Sequence, residues 1–187
     1  MVTANQPTAP YCRPLAVRSE PERSRFGRQT VTGGVRRTMK KFQTTPLGLW
    51  NRAKEFAEPA SVVADAAGNR VSLPAYYLWG HSIELCLKAF LFACGVPLRK
   101  LKSKDFGHNL RTLIDEAGRH NIKRQVHLSA RELGEIYVLN YEYVAKRFEY
   151  HETESYHLPS KDRTKRIAEK LVLLLKRHCE NVQNSPI

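Results

Sequence analysis

Residues 73–95 read LPAYYLWGHSIELCLKAFLFACG, an apolar run with almost no polar face. A helix that is hydrophobic all round sits at the centre of a bundle. The pattern predicts a helix from about Leu73 to Ala93, capped by Gly95 and stopped by Pro97. Four polar side chains interrupt the run: Tyr77, His81, Glu84 and Lys88. Their spacings of four, three and four place them on one stripe of one helix. In a buried helix each needs a partner, because an unpaired polar group costs on the order of several kcal/mol. Two readings stay open. The stripe is a satisfied ion-pair seam that fixes helix register, or it lines a functional groove between helices. Lys88, four residues beyond Glu84, is in the favourable order for an intrahelical ion pair. At roughly 20 residues the run is long enough to cross a membrane, but three ionisable groups near its middle mark a soluble core helix.

The other periodic stretches are helical too. Thr45-Pro46 opens a helix, with Thr as cap and Pro in the first turn. Leu47, Leu49, Trp50, Ala53, Phe56 and Ala57 give it an apolar face. Pro59 is expected to interrupt it, leaving a short second helix over 61–67. Leu110, Leu113, Ile114 and Ala117 form a short amphipathic helix capped by Asn109, and residues 118–128 read as loop. Ser129 with Glu132 makes a capping box for a helix whose face carries Leu133, Ile136, Tyr137 and Asn140. A last helix is expected over 161–179, with Ile167, Leu171, Leu174, Leu175 and Cys179 toward the core and Lys165, Arg166, Lys170, Lys176 and Arg177 toward water. No strand and no internal repeat is legible, so the fold class is all-α.

A length of 187 residues suits one domain plus a tail. The formal net charge of +13 points to an acidic partner, nucleic acid before an anionic membrane surface. The charge is uneven. Residues 1–45 hold nine Lys and Arg against Glu20 and Glu22, and the folded part is only mildly basic. This tail is rich in Pro, Thr, Ser, Gly and Arg with no apolar period, so disorder is expected. It reads as a nucleic-acid-binding arm or as a dispensable extension. Met39, heading MKKFQTTPLGLWNRAKEF, looks like a natural start that would leave out residues 1–38. The helical domain is expected over 46–180, with a disordered C-terminus at 181–187.

Cys12, Cys86, Cys94 and Cys179 form no CxxC pair, which argues against a zinc knuckle; Cys86 and Cys94 read as small core residues. The seven histidines are scattered without ligand spacing, so no metal or other cofactor is expected. A P-loop or dinucleotide site is missing its Gly-rich strand–helix turn. The N-terminus has no apolar run, so no signal peptide is expected, and a reducing, cytoplasmic setting follows.

A basic connector, Arg99, Lys100, Lys102 and Lys104, leads to Asp105-Phe-Gly-His-Asn-Leu. It is a solvated loop or a phosphate-contacting rim. His108 in this segment either caps the next helix or pairs with Glu84. Downstream, LNYEYVAKRFEYHETESYHLPS places Tyr141, Tyr143, Phe148, Tyr150 and Tyr156 beside Lys146, Arg147, His151 and His157. On an intact helix Arg147 and His151 would share a face.

Taken together, GHSIELCLKAFLFACG, then FGHNL, then a KRFxY segment before the last helix resembles the HEPN superfamily over about 47–179. The resemblance implies an up-and-down helical bundle that usually dimerises. It implies roles in prokaryotic toxin–antitoxin or phage-defence systems or RNA processing, with an antitoxin or a minimal nucleotidyltransferase as partner. Many members are metal-independent endoribonucleases in which Arg steadies the phosphate charge and His transfers protons. Others bind RNA or nucleotide without cleaving. The active signature has four to six residues between Arg and His. Here Arg147 and His151 have three between them, and Phe148 stands where active members prefer Asn, Asp or His. The expectation is therefore a bundle that binds RNA or nucleotide with weak or no catalysis, with Lys100, Lys102, Lys104 and Lys146 on phosphate and the aromatics available for stacking. The alternatives are an endoribonuclease using Arg147 and His151, and an interaction module that dimerises or binds a partner subunit.

Overall fold

The computed structural model describes residues 44–149 and 155–183. The expectations for the basic tail, for Tyr150 and His151, and for residues 184–187 lie outside them. All regular structure among the described residues is helical. The helices are α1 (Pro46–Ala66), α2 (Leu73–Ala93), α3 (Leu98–Leu101), α4 (Leu110–Arg119), α5 (Ala130–Val144) and α6 (Lys161–Gln183), with a single 3₁₀ turn at Ile122–Arg124. None of them is long and apolar enough to cross a membrane.

The apolar run does become the central helix. Ser72 caps α2 through its hydroxyl, and α2 packs against each of the other five helices. Trp79, Ile83, Leu87, Phe90 and Leu91 are fully enclosed. Gly95, at φ +88°, ends α2 in the left-handed conformation that glycine adopts at little cost.

Pro59 does not interrupt α1, contrary to the expectation from sequence. Proline removes one helical N–H and crowds the carbonyl four residues back, but Pro59 sits on the exposed face, where water meets the freed carbonyl. The opposite face carries Ala53, Ala57, Ala60 and Ala64, all buried. These small side chains let the α1 backbone lie close to α2, and that packing keeps the helix continuous through the proline. The end of α1 is closed from outside: Lys161 Nζ donates to the carbonyls of Ala64 at 3.2 Å and Gly68 at 2.8 Å, satisfying groups a helix end leaves open. Trp50 ties α1 to α6 by an Nε1–H bond to the Val172 carbonyl at 2.7 Å.

On α6, Ile167, Leu171, Leu175 and Cys179 are buried, but Leu174 is exposed. It falls one position past the buried stripe. The helix also runs on beyond Cys179 to Gln183. Cys86 and Cys179 are both wholly buried free thiols. Burial pushes both thiols up, Cys179 to about 12.

The helix α5 ends sooner than an intact Arg147–His151 face would need. Ala145 is its C-cap and Lys146 has φ +59°. Arg147 N–H bonds the Glu142 carbonyl and Lys146 N–H the Tyr143 carbonyl, each at 3.1 Å, which is the Schellman closure with lysine at the position glycine favours. A non-glycine residue there carries a steric cost. Lys146→Gly is expected to raise unfolding stability by about 0.5–1 kcal/mol, read as a higher urea midpoint at unchanged m-value.

Candidate functional site

The polar stripe of α2 meets the connector and α5 at one point, the Glu84 carboxylate, which is 2% exposed. Four groups converge on it. Lys88 Nζ donates to Oε1 at 2.6 Å. The Tyr143 hydroxyl, from α5, donates to Oε2 at 2.6 Å. His108 Nδ1, from the connector, lies 3.0 Å from Oε2. His81 Nδ1, one turn back on α2, lies 3.6 Å from Oε2 and 3.0 Å from the Tyr143 oxygen. With the Tyr143 hydroxyl donating to Glu84, the network places an imidazole N–H at Nδ1 of both rings.

Position 80 makes this junction fit. A Cβ on Gly80 would come 2.8 Å from the Tyr143 ring, so the missing side chain is what lets that ring lie on the α2 backbone. The ring then reaches Glu84 one turn further on. Lys88 has a second role, donating to the Gly107 carbonyl at 2.6 Å. That bond fixes the connector against α2 and brings His108 into place. Asn109 caps α4 through Thr112 N–H at 3.0 Å, so the open alternative for His108 resolves to the Glu84 pair.

Burial alone would raise the Glu84 carboxyl. Hydrogen bonding from His81, the charge and hydrogen bond of Lys88 and the Tyr143 hydroxyl outweigh it and hold Glu84 down to about 2. The Tyr143 phenol moves the other way: burial, then the adjacent Glu84 charge, drive it far up, so it remains a donor. The result is a buried ion pair carrying two imidazoles, with the His81 side chain 21% and the His108 side chain 48% exposed. Tyr77, the remaining member of the stripe, does not join the hydrogen bonds. It stacks parallel to His81 at 6.1 Å, while Phe56 meets that ring edge-on at 4.4 Å. His81, Glu84 and His108 also each bring a ligating atom to within 4.8 Å of one another.

The other expected residues are placed differently. Lys102 and Lys104 are exposed on the connector. Lys100 is engaged, with Nζ 2.8 Å from Glu116 Oε1 and 5.1 Å above the Phe106 ring. Lys146 is exposed at the end of α5. Arg147 is 9% exposed. Its Nη1 lies 2.9 Å from the wholly buried Glu142, its Nη2 donates to the Ser155 carbonyl at 3.3 Å, and its guanidinium stands 5.1 Å over the Tyr156 ring. It ties the segment after α5 back to that helix.

Comparison of the chain with protein-family models, with curated proteins and with solved structures gave no match.

Two site residues have roles the sequence did not suggest: Gly80 carried no expectation, and Tyr143, grouped with the aromatics available for stacking, is buried against Glu84. Tyr143 is in register with Ile136 and Leu139 on the buried face of α5, and a buried phenol needs a partner. Gly80 is an isolated glycine inside a strong helical pattern, which marks a close approach.

Gly80→Ala is expected to push Tyr143 off α2 and destabilise the fold by about 1–3 kcal/mol, seen as a lower Tm. The acid limb of stability tests Glu84. Its folded value of about 2 lies below the usual 4.5, so its contribution is complete above about pH 4.5 and is lost as the pH falls toward 2. That loss is on the order of 3 kcal/mol. In denaturant titrations across this window, Glu84→Gln is expected to flatten the fall. It also lowers stability at neutral pH by about 3–5 kcal/mol, because Lys88 is left buried without its counter-charge.

Proposed function

We propose that the protein is a HEPN-type helical domain that binds RNA or nucleotide, with the ligand's phosphates along the connector that carries His108. The observation that carries this reading is the connector. Lys102 and Lys104 are exposed and form no ion pair with the described residues, and Arg99 is exposed just before them. Cations on an anchored loop lose less freedom on binding phosphate than cations on a free segment. The Lys88–Gly107 bond supplies that anchor. Where the connector ends, α4 begins, and there Arg111 lies 5.5 Å over the half-exposed Tyr137 ring. A ring and guanidinium beside a cationic loop suit a base stacked next to its phosphate.

The ordered motif string of the sequence supports the HEPN assignment, and with it a toxin–antitoxin or phage-defence setting and a homodimer. We attach no cleavage step to Arg147, because its guanidinium is committed to Glu142 and Ser155.

The test is binding of a fluorescein-labelled single-stranded RNA by the full chain across a salt series. Affinity is expected to fall linearly on a log–log plot. Lys102→Ala with Lys104→Ala should make that slope shallower by about 0.7 for each phosphate that is no longer neutralised. Binding that ignores both salt and the double substitution would sink the connector as the phosphate site. No binding at low salt would leave an interaction module in place of an RNA-binding one.

A further inference from the structure

We propose that His81, Glu84 and His108 form a site for one divalent transition-metal ion of the zinc or cobalt type. This goes beyond the RNA reading and does not rest on it.

The donor set comes first. Two imidazoles and one carboxylate are a ligand set that such ions take, with the remaining position open to water or another ligand. His81 and Glu84 are three residues apart on α2, so one helix face presents both. His108 arrives from a different element. The three ligating atoms lie within 4.8 Å of one another. The two imidazole nitrogens stand 3.0 and 3.6 Å from the same Glu84 oxygen. Tetrahedral bonds of 2.0–2.1 Å put neighbouring ligand atoms about 3.3 Å apart. The two separations bracket that value, and the third lies within the 4.8 Å that encloses all three atoms.

The surroundings already hold the ligands in place. Lys88 fixes the other Glu84 oxygen at 2.6 Å and Tyr143 the ligating one at 2.6 Å, the kind of outer partners that orient a metal carboxylate. The Lys88–Gly107 bond holds His108 on its loop. His108 is the most exposed of the three ligands, with half of its side chain in solvent. Coordination exchanges the two Nδ1–H bonds for two Nδ1–metal bonds. In each coordinated ring Nδ1 holds the ion and the ring proton sits on Nε2. The ammonium of Lys88 opposes the ion, which sets this site below the affinity of structural zinc.

Along the chain the seven histidines show no metal-ligand spacing. A His-x-x-Glu pair on one helix, with the third ligand supplied by a loop, is a spacing that becomes visible only once the loop is placed.

The experiment uses the full chain, stripped with EDTA and desalted, titrated with Co²⁺ by visible absorption and with Zn²⁺ by calorimetry. One ion per chain is expected, with affinity lowered at least tenfold in His108→Ala and in His81→Ala, and unchanged in His178→Ala. The last variant controls for Cys94, whose Sγ lies 3.6 Å from His178 Nε2. His108→Ala alters a half-exposed loop residue, and circular dichroism checks that it folds. A measurement on the unaltered chain removes dependence on any variant: ¹⁵N imidazole spectra during Zn²⁺ addition should move the Nδ1 resonances of two of the seven histidines, assigned to His81 and His108. The proposal is overturned if no ion binds, if the His81 and His108 resonances stay in place while others move, or if His178→Ala alone abolishes binding.

Discussion

A carboxylate buried in the middle of an apolar helix is the constraint on which the rest of this structure turns. Glu84 is ionised where water does not reach, and a lone charge there would be untenable. Each donor that answers it brings a different part of the chain with it. Lys88 comes from the next turn of the same helix, Tyr143 from α5, and His108 from the connector. The polar network therefore does what apolar packing does poorly. Hydrophobic faces slide and repack at modest cost, while a carboxylate with three directed partners accepts one arrangement of α2, α5 and the connector. Burying such a pair adds little net stability, and its effect here is to select that one arrangement.

A second buried carboxylate repeats the logic at the far end of α5. Glu142 receives Arg147 and the backbone N–H of His157 at 2.6 Å, so the chain beyond the helix is folded back onto it. Glu135 does similar work with Arg163 and the Ser160 N–H, setting the start of α6. In both cases a charged side chain on one helix defines where the following segment goes, in places where few apolar residues are available to define it.

How much of this was legible depends on the range of the interaction. The α2 stripe, the Glu84–Lys88 pair and the Ser129–Glu132 capping box are local, set by spacings of three and four, and each is found where the spacing puts it. The Glu84–His108 pair was one of two readings open to His108, because a histidine just before a helix cap has a local alternative. Tyr143 and Gly80 were missed because their meaning lies in a contact 63 residues apart in sequence, which periodicity does not encode. Pro59 misled for a related reason: its cost is local, and the alanine face that overrides it acts through α2. The end of α5 was not legible, because Lys146 closes the helix in a conformation for which a lysine gives no advance signal.

The two enclosed thiols have a further consequence. Cys86 lies on the central helix and Cys179 near the end of the last one, both out of reach of solvent and both held in the unreactive protonated form. A thiol in that condition cannot be alkylated while the bundle is closed. The rate at which a reagent consumes each one is a clock for the opening of its own helix. The chain carries this pair of timers on two helices that pack against each other, without any added label. Equal rates would mean that the bundle opens as one unit; a faster Cys179 would mean that α6 peels away first.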